Sequence, residues 1–220
     1  MIKGCIFDLD GVIVDTAHYH YLAWKRLALE LGYDLTELEN EKLKGVSRMQ
    51  SLNIILDLAG ISLNERHKEM LANKKNIWFN DYIERMTPAE IFPGVQELID
   101  SMKGEGIRVG LASSSMNAKT VLRQLRIQNE FDAVVDGSMI TRTKPDPEIF
   151  LITAERIGLS AGSCVVVEDA VAGVKAALAA GMKCIGIGSA NLLGEADLVF
   201  EKTSDIKLST LRALDKGNAQ

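Results

Sequence analysis

The chain of 220 residues is 47 % hydrophobic and 25 % charged, with a formal net charge of −5 at pH 7. That is the balance of an ordinary globular protein, long enough for one large domain or a core domain with an insert, and it excludes collagen-like and disordered classes. The acidic balance argues against nucleic acid or an anionic membrane as partner, since both select clustered basic residues, but it leaves room for a local cationic pocket.

The first apolar run, KGCIFD, reads as a buried strand that ends in Asp8, with Asp10 two residues on and Gly11 after it. A buried, unpaired carboxylate is costly, so two of them together call for a partner, a proton or a metal. Residues i and i+2 of a strand share one face, which lets both acids address the same ligand. The two aspartates also interrupt the N-terminal apolar segment. No leader-like segment precedes them, and no run of about 18 apolar residues occurs anywhere, so a cytoplasmic location is expected.

Beyond this strand, Asp15 or Thr16 can cap a helix in which Leu22, Trp24, Leu27 and Leu31 recur near helical spacing until Gly32 stops it. Further helices are expected from about Arg48 to Leu58, closed by Gly60, and from about Asn64 to Ile83. The block 15–87 is therefore expected to be a helical-bundle cap inserted into a core formed by 1–14 and 88–220, with hinges near Asp15 and between Thr87 and Pro93.

Five more apolar runs follow: IRVGLAS, FDAVVD, CVVVED, KCIGIG and DLVF. Their hydrophobicity is continuous rather than alternating, as in strands covered on both faces. The expected fold is α/β, a Rossmann-like parallel sheet core sandwiched by helices. Cys5, Cys164 and Cys184 are odd in number and lack metal-type spacing, which reads as buried thiols in a reducing compartment. There is no internal repeat.

Ligands of open parallel sheets bind beyond the carboxyl ends of the strands. Four polar clusters fall there: DLDG, the serines Ser113 to Ser115, TKPDP, and Glu168 with Asp169. Glu168 and Asp169 can cap a helix starting near Ala170, or join Asp8 in a hard oxygen site suited to Mg²⁺. Ser113 and Ser114 can be the cap of the helix running toward Leu125, or a phosphate cradle. Lys144, before Pro145, offers a compact positive charge to a phosphoryl group. Asp146 is better read as a helix cap beside Pro147. Together these parts point to phosphoryl transfer, with Asp8 attacking phosphorus and Asp10 as general acid and base.

In order, Asp8 and Asp10, Ser113, Lys144, and Glu168 with Asp169 resemble the motifs of the haloacid dehalogenase superfamily, across the whole chain and including the inserted helices. Dehalogenases of that superfamily lack the second aspartate, so Asp10 favours phosphoryl chemistry. Within it, FDLDGVIVDTAHYHYLAWK, LKGVSR, PGVQELI, LASSSMN, KPDPEIF and EDAVAGV are most similar to the β-phosphoglucomutases. Members of that family interconvert β-glucose 1-phosphate and glucose 6-phosphate through glucose 1,6-bisphosphate.

The resemblance implies Asp8 as nucleophile, Asp10 as acid and base, and one Mg²⁺ held by Asp8, Glu168, Asp169 and the carbonyl of Asp10. It implies that His20, Trp24, Lys44, Gly45, Val46, Arg48, Ser51 and Lys75 bind substrate or gate from the cap. Ser115 and Asn117 would hold the distal phosphate, for which the Arg48 fork is also suited. Relatives commonly carry lysine where this chain has Met116, a departure that would weaken bisphosphate binding or favour hydrolysis. The alternative is therefore a Mg²⁺-dependent sugar-phosphate phosphatase. The expected partner is a small phosphosugar, with no membrane or nucleic acid, and a monomer is expected.

Overall fold

A computed structural model describes residues 1–43 and 46–216. Six parallel strands form one sheet: β1 (Gly4–Phe7), β2 (Arg108–Ala112), β3 (Ala133–Val135), β4 (Cys164–Glu168), β5 (Lys183–Ile187) and β6 (Leu198–Phe200), in the order β3-β2-β1-β4-β5-β6. Each apolar run of the sequence is a strand, trimmed at its ends. β1 lies between β2 and β4, with Phe7 opposite Leu111 on one side and Val167 on the other. The order departs from β1 in both directions, so the crevice beyond β1 and β4 is the switch point of the sheet.

Helices α1 (Ala17–Glu30), α2 (Glu37–Asn40), α3 (Arg48–Ala59) and α4 (Glu65–Ile83) separate β1 from the rest of the sheet. Helices α5 (Val95–Gly104), α6 (Ala118–Gln124), α7 (Glu148–Arg156), α8 (Val171–Ala179), α9 (Ala190–Leu193) and α10 (Leu208–Lys216) accompany the later strands. Alternate strand residues point to opposite faces. Phe7, Leu111 and Val167 therefore join one cluster with Leu98 of α5 and Leu211 of α10, while Ile6, Ala112 and Val166 join another with Phe150 of α7 and Ala177 of α8. Both faces of the sheet are covered, which is why its strands are apolar throughout.

The inserted helices bury a cluster of their own around Trp24, Leu27, Leu35, Leu52 and Ile55. α3 opens with a reciprocal Ser47–Gln50 cap and ends at Gly60, whose φ of 68° continues the chain without the penalty a side chain would incur. At the start of α1 it is Asp15, not the Thr16 side chain, that accepts from the His18 N–H, at 3.2 Å. The short α2 was not among the expected elements; Thr36 and Glu39 cap each other there, with Glu39 N donating to Thr36 Oγ1 at 3.3 Å.

The two chain crossings between sheet and inserted helices are joined. Phe92 N donates to Ile13 O at 2.8 Å, and Val14 bridges Ile91. Tyr19 of α1 donates to Glu90 at 2.8 Å. The three cysteines are buried and free. Among the described residues no helix is long and apolar enough to cross a membrane.

Candidate active site

Asp8 continues the line of β1: its N–H donates to Val167 O of β4 at 2.9 Å. The chain then turns back on itself, with Ile13 N donating to Leu9 O at 3.0 Å and Gly11 N to Val14 O at 2.9 Å. Gly11 has a φ of 77°, and a side chain there would run into the Asp169 carboxylate. A glycine is thus required both by the backbone and by the closeness of the two acidic segments.

Lys144 reaches beneath these acids. Its Nζ donates to Asp8 Oδ1 at 2.6 Å and to Glu168 Oε2 at 2.8 Å, and it is almost wholly buried. The Lys144–Pro145 peptide bond is cis. Glu168 Oε1 accepts from the N–H groups of Asp169 and Ala170 at 3.2 and 3.0 Å, closing the turn into α8. Gly173 makes room for the Glu168 carboxylate, which any Cβ at that position would strike. Asp146 Oδ1 accepts from Glu148 N at 3.0 Å, but α7 begins at Glu148 with Pro147 at its N-cap, so Asp146, expected from the sequence to be the cap, stands one residue before it.

Burial dominates the electrostatics. It pushes the Asp8 carboxyl up, against the pull of Lys144. Burial likewise raises Asp10 to about 7, with Lys144 the main opposing charge. Asp10 Oδ1 is buried without a hydrogen-bond partner among the described residues. Burial alone would lower Lys144, but Asp8 and Glu168 hold it well above the usual lysine range.

One cation therefore faces several acids. Asp8, Glu168 and Asp169 each offer a ligand atom within 4.8 Å of the others. Three carboxylates around one ammonium leave an excess of negative charge and hard oxygen donors, a set able to chelate a divalent metal. The orphaned Asp10 oxygen beside them adds to the fit.

The loop after β2 forms one side of the crevice. Ser113 is fully buried and its Oγ accepts from Ser115 N at 3.1 Å, while Ser115 Oγ accepts from Asn117 N at 3.2 Å. α6 begins only at Ala118, so Ser113 and Ser114 do not cap it. Ser114, Ser115 and Asn117 line the cavity described below; Ser113, Lys144 and Glu168 support it from behind.

Above lie α1, α3 and α4. Lys75 is almost fully buried, and its Nζ meets His20 Nδ1 at 2.7 Å. With Lys75 as ammonium, the lysine donates and Nδ1 accepts. The His20 ring stacks on Phe79 with centroids 3.9 Å apart, and Lys75 Nζ lies 4.7 Å from the Trp24 centroid and 4.6 Å from that of Phe79. Burial, then Arg48, lower Lys75 well below the ordinary lysine range; Asp10 opposes them. Burial, Lys75 and Arg48 hold His20 well below the ordinary histidine range. Arg48 is itself lowered by burial.

The inserted helices touch the core across the crevice. Asn117 Nδ2 donates to Asn76 Oδ1 of α4 at 2.7 Å, and Thr143 Oγ1 donates to Gln50 Oε1 of α3 at 2.9 Å. Between them is a cavity of about 200 Å³, with Asp8, Asp10 and Asp169 on its floor. His20, Trp24, Val46, Arg48, Ser51 and Lys75 line its opposite wall. Lys44 and Gly45, also expected here, lie outside the described residues. Thr143, from the TKPDP cluster, lines it too, and so do Asn40 and Met49, which were not anticipated. The nearest sequence signal was the Thr36–Glu39 spacing of a capping box, which marks the short helix carrying Asn40.

A parallel sheet with a covered acidic crevice at its switch point is the architecture of the haloacid dehalogenase-like hydrolases. The sequence model of that family matches residues 5–187, and the chain belongs to it. It is 42 % identical over 212 residues to the beta-phosphoglucomutase of Bacillus subtilis (strain 168), across 96 % of this chain and 94 % of that one. The crystal structure of beta-phosphoglucomutase from Clostridium difficile superposes with a TM-score of 0.97 at 38 % identity, covering 100 % of both chains. A phosphorylated carbohydrates phosphatase of Thermotoga maritima is 32 % identical over 188 residues, 84 % of each chain.

Proposed function

We propose that the protein is a Mg²⁺-dependent phosphotransferase that interconverts β-glucose 1-phosphate and glucose 6-phosphate, with glucose 1,6-bisphosphate as intermediate and activator. The observation that carries this reading is the opposition of charge across one cavity: carboxylates on the core side, and Arg48 and Lys75 on the cap side, both lowered by burial. A mutase must hold one phosphate at the reacting carboxylate and a second away from it, whereas a hydrolase needs only the first.

In this reading an Asp8 carboxylate oxygen attacks the transferring phosphorus as the bond to the sugar oxygen breaks. Asp10 gives that oxygen its proton. With glucose 1,6-bisphosphate as the donor this leaves glucose 6-phosphate, and the aspartyl phosphate is then attacked by the 6-hydroxyl of an incoming β-glucose 1-phosphate, whose proton Asp10 takes back, which restores Asp8 and regenerates the bisphosphate. Lys144 and the loop of Ser113, Ser114 and Ser115 offset charge on the phosphoryl oxygens. Mg²⁺, held by Asp8, Glu168, Asp169 and the carbonyl of Asp10, supplies further charge neutralisation when bound.

His20, Trp24, Val46, Ser51 and Lys75 bind substrate from the wall of the cavity, with residues 15–87 acting as the cap, and Lys44 and Gly45 are assigned to substrate binding by the family resemblance alone. Arg48, Ser115 and Asn117 hold the distal phosphate. The protein works as a cytoplasmic monomer. The 42 % identity with the beta-phosphoglucomutase of Bacillus subtilis over 96 % of this chain supports the reading.

The test is an assay with Mg²⁺, β-glucose 1-phosphate and catalytic glucose 1,6-bisphosphate that follows glucose 6-phosphate and free phosphate separately. Isomerisation without matching phosphate release is expected. The second reading is a sugar-phosphate phosphatase, favoured by Met116: a half-exposed apolar side chain stands on the cavity beside Ser115 and Asn117 and brings no cation there. Phosphate release with little glucose 6-phosphate would establish it.

A further inference from the structure

Two asparagines line the cavity, and they differ in one respect. Asn117 is engaged, donating to Asn76 at 2.7 Å. Asn40 is 9 % exposed, lines the same cavity, and its carboxamide makes no hydrogen bond among the described residues. A buried amide has two donors and an acceptor to satisfy, and leaving them unmet is costly. The amide is thus available to a group that enters the cavity.

The segment around Asn40 is held firmly. Thr36 N donates to Glu39 Oε2 at 2.9 Å, Tyr33 Oη donates to Glu39 Oε1 at 2.5 Å, and Tyr21 Oη donates to Leu35 O at 3.3 Å. These bonds fix the turn, while the Asn40 side chain lines the cavity. The same lining includes the apolar Trp24, Leu43 and Met49 and the charged or polar His20, Arg48, Ser51 and Lys75. A neutral polar group held in place among apolar and charged neighbours can set the orientation of a ligand.

We infer that Asn40 is a specificity-determining residue whose carboxamide reads a ring hydroxyl of the bound phosphosugar. The charged groups of the cavity suit phosphates; a neutral amide, able both to donate and to accept, suits a sugar hydroxyl, which does the same. This inference rests on the phosphosugar reading above and adds to it which wall distinguishes one sugar from another.

The experiment crosses side-chain deletion with hydroxyl deletion. kcat/KM is measured for β-glucose 1-phosphate and its 2-, 3- and 4-deoxy analogues, with the wild type, Asn40→Ala and the isosteric Asn40→Asp. The expected result is that Asn40→Ala loses about 10- to 100-fold on the intact sugar and less than about threefold on one deoxy analogue, the analogue that the wild type itself disfavours by a similar factor. Asn40→Asp, which keeps the shape but not the donors, should lose selectivity at the same ring position. Equal losses on all four compounds, or none, would overturn the inference. Isomerisation and phosphate release are followed in the same reactions. Release without isomerisation would sink the mutase reading alone, and the analogue ratios, taken on release, would still decide the role of Asn40.

Discussion

Lys144 Nζ bonds Asp8 Oδ1 and Glu168 Oε2 at once, so a single buried ammonium clasps the ends of two adjacent strands. Removing it leaves two buried carboxylates without their shared counter-charge. Lys144→Ala should cost about 3–5 kcal/mol of stability, as for other broken buried pairs, and abolish most turnover. Urea denaturation and the coupled assay measure the two effects. Wild-type stability in this variant would show that water already reaches the acids.

Asp10 should separate stability from activity. Its carboxyl is raised to about 7 by burial and keeps an oxygen without a partner. Asp10→Asn removes a charge the site disfavours, so the fold should be retained or slightly strengthened. Turnover should fall by at least about 10²- to 10⁴-fold, the range typical of general acid–base groups. Retained turnover would reject the proton-transfer role.

The His20 ring gives a pH dependence of stability. Its folded value lies well below 6.5 because of burial and then the neighbouring Lys75 and Arg48. Between the folded and unfolded values the unfolded chain binds the proton and the folded one does not, so stability rises with pH there and is lost as pH falls below 6.5. Thermal melts at stepped pH should show wild type losing ground relative to His20→Gln below that point. Parallel curves would mean the imidazole is charged in the fold.

A divalent cation should stabilise the protein through Asp8, Glu168 and Asp169. Mg²⁺ at a hundred times its dissociation constant would add about 2.7 kcal/mol. The gain should be larger at pH 8 than at pH 5, since the ligands must be deprotonated to bind. Melting with and without chelator tests this, and Asp169→Asn should remove most of the shift.

Arg48→Ala should damage isomerisation more than phosphate release, because only isomerisation requires the second anion site. The ratio of glucose 6-phosphate to free phosphate should fall about tenfold or more, a charge-assisted contact being worth about 1.5–3 kcal/mol. An unchanged ratio would move the distal site elsewhere on the wall.

Much of this arrangement is legible in the sequence because it is periodic or local. The strands are unbroken apolar runs, and Gly32 and Gly60 punctuate the helices. Asp8, Asp10, Lys144, Glu168 and Asp169 stand at strand ends or in the following turns, where a parallel sheet gathers its ligands. The short α2 had too few residues for any period, and Asn40 within it is a single ordinary asparagine. The Gln50–Thr143 contact spans 93 residues, and no local pattern encodes it. Ser113, grouped from sequence with its neighbours, folds inward instead, because its Oγ closes the turn that leads to Ser115.

The stitching of the two crossings, Phe92 to Ile13 and Val14 to Ile91, also has a mechanical consequence. Two separate strands of chain would let the upper helices slide, tilt and twist over the crevice. Joined side by side, they form one two-stranded strap. The wall that carries Arg48, Lys75 and Asn40 is therefore tied to the core along one edge, which opposes sliding and twisting above Asp8.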